Sequence, residues 1–98
     1  NAGALAGLPD DLVVELPCQV TTSGARPLPA EPLDLHQTGL VCAVRAAERA
    51  VIEAVTTRSR DAALRAFLIH PLVGSPIAAR RLLDGVLADH PTVAELLR

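Results

Sequence analysis

From residue 35 onward the apolar residues of this chain recur at three- and four-residue steps, and before residue 32 they do not. This change of period limits the possible folds, because a helix returns to its core face every 3.6 residues and a strand every second residue. Leu40, Val41, Val44, Ala47, Val51, Ile52 and Val55 form one apolar stripe and predict a long first helix over about 35–56. Arg45, Glu48, Arg49 and Glu53 lie mostly off the stripe. Arg49 with Glu53, and Arg45 with Glu48, are spaced as surface ion pairs worth roughly a few tenths of a kcal/mol. Gly39 weakens the first turn or marks close packing.

The later helices announce themselves by their ends. Ser59 predicts an N-cap, with Asp61 at the positive end of a second helix that buries Leu64, Phe67 and Leu68. His70-Pro71 stops it, since the residue before proline disfavours helix. Ser75-Pro76 starts a third helix, Ser as cap and Pro at the first helical position, with Ala79, Leu82, Leu83, Val86 and Leu87 facing inward. Gly85 is a cost there unless it permits close helix contact. His90-Pro91 ends that helix, and Thr92 with Glu95 has capping-box spacing for a short last one carrying Val93, Leu96 and Leu97.

The first third reads as strand and turn. Residues 12–16 are β-rich, with Val14 and Leu16 on one face and Glu15 on the other; Pro17 removes a ladder donor and puts the strand at an edge or bends it. Cys18-Gln19-Val20 continues extended, Thr21-Thr22-Ser23-Gly24 turns, and residues 25–29 return. Pro29 to Pro32 make an extended connector. The expected class is therefore α+β: a short β-hairpin within 12–29, then a helical region over 35–98 with three main helices and a short fourth.

At 98 residues the chain holds one domain at most, or a piece of one. Its apolar half is mostly Ala, Leu and Val, and Phe67 is the sole aromatic, so the core must be closely packed aliphatic helix. So high an apolar share in a small body suggests surface that something else covers, and an expected self-association through Val44, Val51 and Val55. The bland account is an Ala-rich helical domain. A net charge of −2 gives no electrostatic footprint for nucleic acid, and charged residues interrupt every helix before it reaches membrane-spanning length. Every basic side chain is Arg, most simply from a GC-rich coding bias, and Arg58/Arg60 and Arg80/Arg81 read as solvated faces.

Few residues could carry chemistry. His36, His70 and His90 lie on separate segments without the i,i+4 partner a zinc site needs, and the last two suit helix C-terminal ends. Cys18 and Cys42 are in no metal-type spacing and read as free, partly buried thiols of a reducing, cytoplasmic compartment. Asp10-Asp11 reads as turn chemistry, and Glu15 as half of an edge-strand salt bridge. No Gly-rich phosphate loop or nucleophile elbow is present.

The opening Asn1-x-Gly3-x-Leu5, then Leu8-Pro9-Asp10-Asp11-x-Val13-Val14-Glu15-Leu16-Pro17, enters as though partway through a longer chain. Downstream come Gly24 with Pro27-Leu28-Pro29, then Gly39-Leu40, Glu48 and Val51-Ile52-Glu53-Ala54. Arg60-Asp61-Ala62-Ala63-Leu64, His70-Pro71-Leu72-Val73 and Leu82-Leu83-Asp84 complete the series. In this order, over almost the whole chain, these segments resemble the C-terminal part of family 4 glycoside hydrolases. The wording is closest to the 6-phospho-β-glucosidase branch, and the α-glucosidase and α-galactosidase branches share much of it. Gly7 stands where the family commonly has Asn, Ala47 where it has Tyr, and the usual Tyr-Leu-Pro end is missing.

The resemblance implies an enzyme that uses NAD and a divalent metal, usually manganese, in place of two carboxylates. A hydride leaves C3 of the sugar, a base takes the acidified C2 proton, the aglycone is eliminated, and water and hydride return. It implies an N-terminal Rossmann domain as partner, a phosphorylated disaccharide or glycoside as substrate, and a homo-oligomer. The family's metal-binding Cys and His and its Tyr base precede the matching segment. No catalytic, cofactor-binding or metal-ligating residue is therefore assigned here, and the Pro-Cys-Gln context of Cys18 matches the strand and not the metal motif. The chain alone is expected to be inactive. The competing reading is a small helical interaction or dimerisation module with no enzymatic context.

Overall fold

The structure, a computed structural model, describes residues 1–97. The chain divides into two compact units, Asn1–Gly39 and Leu40–Arg98.

The first unit opens on an irregular loop that buries Leu5, Leu8 and Leu12. Residues 13–17 lie outside any strand, and the alternation seen in the sequence survives there, with Val14 and Leu16 half-buried and Val13 and Glu15 exposed. Strand β1 spans Cys18–Thr21 and pairs antiparallel with β2, Gly24–Pro27, in the register Cys18 to Pro27 and Thr21 to Gly24. The ladder thus begins later than the expected strand over 12–16. Pro17 has no N–H to give, yet its carbonyl accepts from the Leu28 amide at 2.9 Å, so the proline closes the end of the hairpin instead of sitting inside a strand. At the other end Gly24 holds φ +107°, a backbone conformation that side chains disfavour. The Thr21 hydroxyl accepts from the Ser23 amide at 3.2 Å and bonds the Gly24 carbonyl at 3.3 Å.

Helix α1, Leu35–Thr57, starts in a reciprocal cap. The Asp34 carboxylate accepts from the Gln37 amide at 2.7 Å, and the Gln37 side-chain oxygen accepts from the Asp34 amide at 3.0 Å. This is a capping box. The helix ends at Arg58, whose φ of +56° is left-handed, and the Ser59 amide returns to the Ala54 carbonyl at 3.0 Å. A bond spanning five residues over a left-handed residue is a Schellman closure, with Arg standing where Gly is usual. A Cβ added at Gly39 would meet nothing, so that glycine does not mark close packing.

In the second unit, α2 spans Arg60–Ile69, α3 Pro76–Asp89 and α4 Pro91–Leu96. Ser59 and Ser75 cap α2 and α3, accepting from the Ala62 and Ala78 amides at 3.1 and 3.2 Å. For α4 the expected cap moves from Thr92 to His90, which makes no side-chain cap bond. Pro91 at the first helical position fixes φ and so takes the helix start two residues earlier.

The core of this unit is built largely from alanines. Ala54, Ala62, Ala63, Leu83 and Leu97 cluster, with Leu64, Phe67, Leu87 and Val93 packed against them. Here the structure corrects the expected inner faces. On α1 the buried residues are Ala47, Ala50 and Ala54, while Val51, Ile52 and Val55 are 53%, 62% and 50% exposed. Leu68 of α2 and Leu82 of α3 also face outward. The close helix–helix contacts of this unit are α2 against α3 and α3 against α4.

Candidate functional site

Two places in the molecule are built with enough specificity to be read as sites, one in each unit. The first is the loop gathered around Asn1. Its side-chain oxygen accepts from the Leu5 amide at 2.8 Å, and its side-chain nitrogen donates to the carbonyls of Leu5 at 3.1 Å, Leu8 at 2.9 Å and Pro9 at 3.3 Å. The Asn1 backbone nitrogen donates to the Leu12 carbonyl, and the Ala2 amide to the Asp10 carbonyl at 2.8 Å. Ala2, Gly3 and Gly7 all hold positive φ, at 46°, 81° and 82°. One amide side chain thus satisfies backbone groups that the irregular chain cannot pair with each other. The sequence reading assigned Asn1 no such role.

The second place is a half-open apolar hollow of about 240 Å³ in the helical unit. Ala47, Val51, Ala54 and Val55 of α1, Ala63, Ala66 and Phe67 of α2, and Leu83 and Val86 of α3 form its walls, and Val93 and Leu97 close one side. Glu48 and His70 lie at its margin. His70 ends α2, and its Nδ1 accepts from the Leu72 amide at 3.2 Å, so the neutral ring carries its proton on Nε2. Ion pairs surround the helices without entering the core. Arg45 pairs with Glu48, Glu53 with Arg65, and Arg60 with Asp84 at 3.1 Å. All six side chains are substantially exposed, so the pairs add little stability.

The residues singled out from the sequence are not brought together. His36 lies exposed at the start of α1, and His70 and His90 stand at separate helix ends. Cys18 and Cys42 are free and exposed, correcting the expectation of partly buried thiols. Glu15 is exposed and outside any strand. Among the described residues no three of His, Cys, Asp and Glu gather as a metal-binding group, and no helix is long and apolar enough to cross a membrane.

The decisive comparison is with a protein family. Residues 1–73 match the family 4 glycosyl hydrolase C-terminal domain. The chain belongs to that family. The domain is 39% identical over 90 residues to a "Probable 6-phospho-beta-glucosidase" of Bacillus subtilis (strain 168), covering 92% of this chain and 20% of that protein. It is 38% identical over 87 residues to the 6-phospho-beta-glucosidase BglT of Thermotoga maritima, covering 89% of this chain and 21% of BglT. The chain therefore spans about a fifth of the length of these curated relatives.

Two crystal structures of 6-phospho-alpha-glucosidase from gut microorganisms superpose on 95% of the family 4 domain. The one in complex with NAD and Mn²⁺ does so with a TM-score of 0.86 and 28% identity, over 22% of its chain. The one with NAD and glucose-6-phosphate gives 0.85 and 31%, over 21%. Both hold NAD, and the first also holds Mn²⁺. In the family 4 domain described here no three-ligand cluster forms among the described residues, and no Gly-rich strand-to-helix turn is present in the sequence.

Proposed function

We propose that this chain is the C-terminal domain of a 6-phospho-β-glucosidase, and that the full-length parent hydrolyses a phosphorylated glycoside by an NAD- and divalent-metal-dependent redox-elimination route. The observation that carries this reading is the ordered family match over residues 1–73. The β-branch is favoured because two relatives bearing that name are 39% and 38% identical, against 28% and 31% for the solved α-branch structures. In the parent, a Rossmann domain preceding this segment holds NAD, and residues outside this chain hold the metal, usually manganese. The chemistry those groups supply is removal and return of a hydride at the sugar. None of the present residues is assigned a chemical step. Their contribution is structural: the domain helps close the sugar site and builds contacts between subunits of a cytoplasmic homo-oligomer.

A second reading, a free-standing helical interaction module, draws on the exposed Val51, Ile52 and Val55 along α1. One experiment separates the two. The purified full-length parent is assayed with chromogenic 6-phospho-β- and 6-phospho-α-glucosides, with NAD and Mn²⁺ and after chelation. Turnover of the β-substrate that requires both cofactors is expected. Turnover of the α-glucoside alone, or only of an α-galactoside run beside it, moves the assignment to that branch, and no turnover of any of the three overturns the enzyme reading. The 98-residue chain should show no NAD or Mn²⁺ binding by calorimetry, and tight binding of either would contradict the assignment of these groups to the rest of the parent.

A further inference from the structure

We draw no further inference here: the strongest candidate, the apolar hollow between the four helices of the second unit, is walled by Ala, Val, Leu and Phe67, and nothing in the structure shows what covers it.

Discussion

Arg58 occupies a backbone conformation that suits glycine. At φ +56° its Cβ crowds the backbone, a cost of roughly 1 kcal/mol that the Schellman closure onto Ala54 sustains. Arg58→Gly is expected to remove that strain and to gain about 0.5 kcal/mol net, after the added freedom of the unfolded chain is subtracted. Urea titration followed by circular dichroism reads the change, and a loss of stability would mean that the Arg58 side chain makes a compensating contact. Ala47 is the complementary case. It is 2% exposed and lines the hollow. Ala47→Phe should place a ring in that space and raise stability by roughly 0.5–2 kcal/mol, as cavity filling does. A drop in midpoint would show that the hollow cannot admit a ring from α1, because overpacking costs about 1–3 kcal/mol.

Among the elements, those with local chemical signals were the most legible in the sequence. Ser59 and Ser75 each bond an amide three residues on, and Pro76 follows its cap directly, so the starts of α2 and α3 could be read from adjacent residues. The same kind of signal stands at Asp34 and Gln37, three residues apart, where it starts α1. Where two local signals competed, Thr92 against His90-Pro91, the proline decided the outcome. The buried face of α1 was not legible, because periodicity gives the spacing of a stripe and not which of two adjacent arcs meets the core. The Asn1 loop lay beyond sequence reasoning for a different reason. Its bonds join a side chain to backbone groups of an irregular segment, and no periodic pattern encodes them. Gly85 gives a direct test of the helix packing. A Cβ there would meet nothing within 4 Å, so the glycine permits no close contact in this chain. Gly85→Ala should stabilise α3 by about 0.5–1 kcal/mol. Thermal denaturation of the two proteins side by side checks it, and a decrease in Tm would reveal a neighbour that the substitution disturbs.

For the molecule as a whole, the α+β class, the hairpin and the order of four helices follow the sequence reading closely, while the candidate site does not resolve into chemistry. The exposed valines and isoleucine of α1 bear on assembly. Val51 and Val55 are half exposed and flank the hollow, with Ile52 beside them, so this strip is the expected contact when the isolated chain self-associates. Sedimentation velocity from one to one hundred micromolar should show a concentration-dependent dimer, an order-of-magnitude range suited to weak interfaces. Ile52→Glu should shift the distribution to monomer. A monomer at every concentration, with no binding of an apolar dye, would mean that the strip is too small to drive pairing.

The alanine walls of the hollow have one more consequence. Alanine has no side-chain rotamer to lose on folding and none to change afterwards. Ala47, Ala54, Ala63 and Ala66 therefore cannot swing into the space they border, as a leucine or methionine would. The separation of the helix axes thus governs its volume at these positions. A molecule or side chain that enters need displace nothing there, and along these alanine walls only a movement of the helices themselves can widen or narrow the hollow.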